Sequence, residues 1–257
     1  MAPRIGGRPA RIRVPGARNH LPDDSQEGYG PSGRGLRPVH LGNVGQEEAP
    51  RAVTDVVVGD DGLPRCLWGY STPEYHDYHD HEWGLPVGDD RRILEKICLE
   101  GFQAGLSWLT ILRKREGFRR AFVNFDPAVI AAFGPIEIEQ LIRDPHIVRN
   151  RAKIEATIAN AKAALRLAEQ HISLAALLWS HEPQHHTVRR TLADLPASTA
   201  ESKRLSAQLR HHGFRFVGPT TIYAAMQTLG VVNDHLQGCH HGAVAESARA
   251  TFTRPQD

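Results

Sequence analysis

Ser198-Thr199-Ala200-Glu201 and, a dozen residues on, Gly213-Phe214-Arg215-Phe216-Val217-Gly218-Pro219 decide how this chain is read. The first string has the form of a capping box and predicts a helix over 199–212 that stops at Gly213. Proline at the first helical position and Gly230 beyond the last bracket a second helix, 219–229, in the same way. A helix, a short glycine-containing turn and another helix leave backbone N–H groups beside a helix N-terminus. There a phosphate oxygen is favoured by hydrogen bonds and by the dipole together, with Arg210 and Arg215 adding charge. A plain αα-hairpin would look the same in sequence.

Upstream the texture is also helical. Asp126-Pro127 is an N-cap followed by proline at the first helical position, and Val148 to Glu169 carries Ile154, Ile158, Ala161 and Leu165 at helical spacing. No alternating strand pattern stands out, and no internal repeat. The prediction is a compact all-α domain over 63–245, with a C-terminal tail at 246–257. Residues 1–62 hold 11 of the 23 glycines and 7 of the 17 prolines, with no Phe, Trp or Lys. Such a segment buries too little to order itself, so it is expected to be a disordered tail or sequence read from a start codon placed too early.

The remaining composition narrows the function classes. At 257 residues with 40% hydrophobic residues the chain can build a substantial core. A net charge of +2 gives no global cationic field that demands nucleic acid, and the arginine bias, with lysine only at 96, 114, 153, 162 and 203, suits phosphate forks or reflects genomic base composition. Three cysteines, Cys66, Cys98 and Cys239, make no disulfide framework, no stretch is apolar and long enough for a bilayer, and no apolar segment follows the N-terminal arginines. A reducing cytoplasm is the expected location.

Cys66 with His79 near one end of the domain, and His235 with Cys239 near the other, are able to close one tetrahedral metal site and pin the ends together. Spacing leaves the choice among His76, His79 and His81 open, and does not exclude His240 or His241. The alternative is that both cysteines are small buried hydrophobes.

Between those halves runs Ile97-Cys98-Leu99-Glu100-Gly101-Phe102-Gln103-Ala104-Gly105-Leu106-Ser107-Trp108. Ile93, Ile97 and Ala104 share the helical face of Glu100, so its carboxylate points inward and has to meet a cation, donors or a ligand. In a cleft it is a functional candidate; elsewhere it would be a structural ion pair with an arginine. Trp68, Tyr70, Tyr75, Tyr78 and Trp83 crowd the acid-rich stretch around the first histidines, whereas Trp179 reads as core. An electron-rich aromatic wall suits a flat, cationic ligand; the other reading is an aromatic loop supporting the metal.

Arg65-Cys66-Leu67-Trp68, Tyr78-His79-Asp80-His81-Glu82-Trp83-Gly84, Ile97 through Trp108, Gly213 through Gly218 and Val232-Asn233-Asp234-His235 together resemble the bacterial DNA-3-methyladenine glycosylase I (Tag) family of the helix-hairpin-helix glycosylase superfamily. The resemblance covers about 64–242. It implies a structural zinc ion on Cys66, His79, His235 and Cys239, a base-recognising glutamate at Glu100, and an aromatic pocket of Tyr75, Tyr78, Trp83 and Trp108 with Trp68 close by. It also implies that the turn at Gly105-Leu106 pries the duplex open and that Arg215 and Gly218 meet the DNA. The implied function is base-excision repair: hydrolysis of the N-glycosidic bond of 3-methyladenine in alkylated double-stranded DNA, by a monomer at the bacterial nucleoid.

Two departures from the wider superfamily matter. Phe216 stands where its hairpin usually has a first glycine, which leaves Gly218 for the phosphate. No lysine lies in or just after the hairpin, so lyase chemistry is not expected. Asp234, where many relatives keep a catalytic aspartate, reads more naturally as a helix cap or a group beside the metal. The competing readings are a zinc-stabilised DNA-binding protein without chemistry, which would have no use for Glu100 in an aromatic pocket, and a related glycosylase of different lesion range. Metal-dependent hydrolysis is disfavoured, because four protein ligands leave zinc no position for water.

Overall fold

A computed structural model describes residues 55–256; the expectation of a disordered tail falls almost wholly on residues outside that range. The described chain opens with an antiparallel pair, β1 (Val56–Val58) against β2 (Pro64–Cys66), in the register Val56 to Cys66. The described chain is thus ordered from residue 55, and beside its helices it holds a small sheet that three-residue strands are too short to announce by alternation.

Helices follow: α1 (Pro73–His81), α2 (Asp90–Gln103), α3 (Trp108–Ala121), α4 (Pro127–Ala131), α5 (Pro135–Arg143), α6 (Arg151–Glu169), α7 (Leu174–Trp179), α8 (Ala200–His211), α9 (Pro219–Thr228) and α10 (His240–Thr251). Their starts are set by short polar side chains that accept from orphan N–H groups: Asp89 from Arg92, Ser107 from Thr110, Asp126 from Ala128 and Val129, and Asn150 from Lys153. At α8 the cap is Thr199, reciprocated by Ser202, so the box sits one residue later than Ser198 and Glu201 suggest.

α2 lies at the centre and packs on α3, α6, α7 and α9. Ile93, Ile97 and Phe102 from α2, Ile111 and Phe118 from α3, Ile154 from α6 and Ile222 from α9 are sealed in one core, and Trp179 belongs to it as expected. α8 pairs with α9 across the predicted turn. Gly213 closes α8 at φ +93°, with Phe214 N–H bonding back to the Leu209 carbonyl. Gly230 closes α9 at φ +71°, where a Cβ would stand 2.6 Å from the Leu85 carbonyl carbon.

The stretch read as a C-terminal tail, 246–257, begins inside a helix. α10 runs to Thr251, the Phe252 ring lies 4.7 Å from that of Trp179, and Arg249 and Arg254 both reach Glu182.

Candidate active site

β2 and α1 bring Cys66 and His79 against the segment after α9, which carries His235 and Cys239. All four side chains are buried and their ligand atoms lie within 4.8 Å of one another. Cys239 Sγ is 3.5 Å from both His79 Nε2 and His235 Nδ1, and Cys66 Sγ is 3.9 Å from His235 Nδ1. The remaining atoms of each ligand are held. His79 Nδ1 lies 2.8 Å from Asp80 Oδ1, His235 Nε2 lies 3.1 Å from the Trp83 carbonyl, and Leu236 N–H donates to Cys66 Sγ. These contacts aim the free nitrogens at the sulfurs, as ligands to a metal are aimed. The two thiols do not ionise together without a cation: the hydrogen bond between them and burial push Cys66 up, while the same bond, against the burial, and the two imidazoles hold Cys239 down. His76 and His81 lie outside this group, and His241 joins His79 and Asp80 in a second one.

The aromatic wall stands on that cluster. The Trp68 ring meets His79 at 5.0 Å and Trp83 at 5.1 Å, and Trp83 meets His235 at 4.7 Å. Trp68, Tyr75, Tyr78, Trp83 and Trp108 surround one cleft of about 300 Å³, and Glu100 lines it from α2. That volume takes a single base-sized ligand. Leu195, Gln103, Ala224, Gln227 and Thr228 line it as well, none of them singled out by the sequence.

The partner of Glu100 is a lysine rather than an arginine. Lys96 Nζ lies 2.9 Å from Glu100 Oε1, donates to Tyr78 Oη at 2.8 Å, and stands 3.5 Å from the Trp108 ring centroid. Burial pushes the Lys96 ammonium below its ordinary value, while the Glu100 charge pulls it back. Tyr78 Oη also shares a hydrogen bond with Thr228 Oγ1, 2.8 Å away. Burial and the Glu100 charge raise the Tyr78 hydroxyl well above its usual value, so it stays protonated. Lys96 faces a separate small polar cavity behind the cleft, shared with Tyr78 and Trp108. Its one sequence signal is the i, i+4 spacing to Glu100.

Asp234 is not at the cleft. It accepts from Tyr223 Oη, from Gln227 Nε2 at 2.9 Å and from Arg189 Nε at 3.2 Å, so it ties its own segment to α9 and to the stretch around Arg189.

The residues read as DNA contacts lie on two turns, one between α2 and α3 and one between α8 and α9. Gly105 turns at φ +82° and leaves Leu106 exposed between α2 and α3. In the hairpin Arg215 and Phe216 are exposed, Phe216 adopts φ +54°, and a Cβ on Gly218 would meet open space at the start of α9.

Residues 68–242 match the family model described as methyladenine glycosylase. The chain is 46% identical to DNA-3-methyladenine glycosylase 1 of Escherichia coli (strain K12), over 69% of this chain and 96% of that protein, and 45% identical to the DNA-3-methyladenine glycosylase of Haemophilus influenzae, over 68% and 96%. Among solved structures it is similar to a 3-methyladenine DNA glycosylase I (TAG) at 45% identity and TM-score 0.67, covering 68% of this chain and 98% of that one. It is also similar to the Staphylococcus aureus TAG whose structure concerns 3-methyladenine recognition, at 33% identity and TM-score 0.65, covering 68% and 95%.

Proposed function

The chain belongs to the methyladenine glycosylase family, and from that premise we propose how its cleft works. The protein is a base-excision-repair DNA glycosylase that hydrolyses the N-glycosidic bond of 3-methyladenine in alkylated DNA. The observation that carries the mechanism is an aromatic cleft with a buried carboxylate at its wall.

The damaged nucleotide is rotated out of the duplex, at a cost of a few kcal/mol that its poor pairing reduces. Trp108 and Tyr78 take its flat, positively charged ring against their faces, and Trp68, Tyr75 and Trp83 complete the walls. Glu100 accepts hydrogen bonds from the base edge. Its Oε1 is engaged by Lys96, and Oε2 makes no hydrogen bond among the described residues. Adenine offers an amino donor where guanine offers a carbonyl, so an acceptor at this wall favours adenine. A cationic base is already a good leaving group and needs no strong acid. Water then attacks the oxocarbenium-like sugar without a covalent enzyme intermediate.

Leu106, on the Gly105 turn, is the group that enters the duplex, while Gly218 and Arg215 of a helix-hairpin-helix element hold the phosphates. Cys66, His79, His235 and Cys239 would hold a zinc ion: two thiolates and two imidazoles with ligand atoms within 4.8 Å of one another suit a closed four-ligand site, and its part would be structural, joining the strand and helix that carry the aromatic wall. The protein acts as a monomer at the nucleoid in the cytoplasm.

The test is release of free bases by the full chain from duplex DNA treated with a methylating agent, resolved by chromatography. Selective release of 3-methyladenine is the expected result; tight DNA binding without base release would refute the assignment.

A further inference from the structure

Two buried polar side chains on α6 take no part in the cleft. Lys153 and Asn160 lie seven residues apart, on one face of that helix and about 10 Å along its axis, and are 8% and 2% exposed. Lys153 Nζ donates to the carbonyl of Phe102 at 2.9 Å and to that of Ala104 at 2.5 Å. These are carbonyls at the end of α2 that the helix itself leaves unpaired, and a cation there is favoured by the dipole. Asn160 grips both backbone groups of one hairpin residue: its Oδ1 accepts from Arg215 N–H at 2.7 Å and its Nδ2 donates to the Arg215 carbonyl at 3.2 Å. Nδ2 also reaches Cys98 Sγ on α2.

A third contact closes the triangle. A Cβ on Gly101 would lie 3.2 Å from Phe216 Cβ, so the bare helix backbone at that point lets the hairpin sit directly on α2. One helix thus anchors the end of the Gly105-Leu106 turn with Lys153 and the hairpin with Asn160, at points whose separation a rigid helix sets.

We propose that Lys153 and Asn160 are positioning residues for base extrusion: they hold the Leu106 turn and the Arg215–Gly218 hairpin in the one relative placement that lets both engage the same stretch of duplex. The inference rests on the reading of those two loops as the DNA contacts. Spacing matters because a misplacement of about 1 Å between groups that act together can cost about 100-fold in rate. An ammonium on two carbonyls and an amide on both groups of a single residue each leave little freedom. Neither side chain touches the cleft, so binding of an already free base does not depend on them.

The experiment separates those two events. Lys153→Met and Asn160→Leu are compared with the wild-type full chain in two assays: release of 3-methyladenine from methylated duplex DNA, and binding of free 3-methyladenine followed by tryptophan fluorescence. Duplex release is expected to fall about 10- to 100-fold with free-base affinity within twofold of wild type, and Lys153→Arg is expected to recover most of the rate. Where Asn160→Leu does not fold, Asn160→Asp keeps the size and the acceptor for Arg215 N–H, while losing the Nδ2 contacts to the Arg215 carbonyl and Cys98 Sγ and adding a carboxyl. Equal losses in both assays would mean a merely structural role and overturn the proposal. So would wild-type release by these variants alongside a slow Leu106→Ala. If instead Leu106→Ala and Arg215→Ala both release base at the wild-type rate, the DNA-contact reading itself fails and takes the proposal with it.

Discussion

Lys96 and Glu100 form an ion pair one turn apart on α2, Nζ to Oε1 2.9 Å, with the lysine 6% and the glutamate 5% exposed. The pair explains how a carboxylate survives beside an aromatic wall. Its cation comes from the same helix and approaches from behind the cleft, so the front of the carboxylate is free for a ligand.

Glu100→Gln replaces an acceptor by a group that also donates. Release of 3-methyladenine should fall by about 100-fold or more, because a polar pairing built for one partner is then mismatched. The substitution also leaves Lys96 buried without its anion, so some stability is lost, but metal content should stay near wild type because Glu100 is not among the four Cys and His side chains of the metal cluster. Wild-type release would remove Glu100 from the mechanism.

Lys96→Met leaves that carboxylate buried without its cation. Breaking one side of a buried pair costs about 3–5 kcal/mol, whereas removing both charges costs much less. Urea unfolding of Lys96→Met, Glu100→Gln and the double variant should give a coupling of about 1 kcal/mol or more, with the double variant more stable than Lys96→Met. Additive effects would show that the two charges do not support each other.

The metal centre predicts one zinc ion per chain by mass spectrometry of protein purified without chelator. Cys239→Ser should lower zinc content and the unfolding temperature together. It should also change tryptophan fluorescence, since Trp68 and Trp83 rest on His79 and His235. A metal-free wild type of full stability would contradict the structural role.

Gly230→Ala should be among the more damaging single-atom insertions. The position has φ +71° and its new methyl would meet the Leu85–Pro86 backbone at 2.6 Å, where no flexible side chain can give way. A loss of about 2 kcal/mol or more in chemical denaturation is expected; a change below about 0.5 kcal/mol would mean that the α9 terminus relaxes freely.

Glu182 ties the C-terminal segment through Arg249 and Arg254. Burial pushes its carboxyl up, but the hydrogen bond from Arg254 and the charges of both arginines outweigh this and hold it below the usual range. A carboxyl lowered on folding adds stability above its unfolded value of about 4.3 and loses it as pH falls through the folded value. The stability gap between wild type and Glu182→Gln should therefore be full at pH 7 and close below about pH 4; a gap independent of pH would mean that Glu182 acts by packing alone.

Much of the architecture was legible from capping and helical period: α6, the α8–α9 hairpin and the closing glycines follow local rules that act within a few residues. The β1–β2 pair escaped because two three-residue strands carry no period, and α10 with its docked C-terminus escaped because its value lies in contacts with Glu182 and Trp179, far away in sequence. The aromatic residues and the four Cys and His positions could be picked out as types. Which histidine faces the sulfurs was settled by the orientation of α1, since His76, His79 and His81 differ only in the side of the helix they occupy.

What the chain's order of residues determined by itself was the largely helical character, α6 and the α8–α9 hairpin, the inward direction of Glu100 and the family. These depend on local propensity, on a 3.6-residue period and on strings of residues read directly. Only the tertiary structure decided that Lys96 is the partner of Glu100, that Asp234 is spent on Arg189, Tyr223 and Gln227, and that Lys153 and Asn160 brace two loops from one helix. Spacing allowed several partners for Glu100 and Asp234 and only packing chose among them, while the bonds of Lys153 to Phe102 and of Asn160 to Arg215 span more than fifty residues of chain and leave no periodic mark on either end.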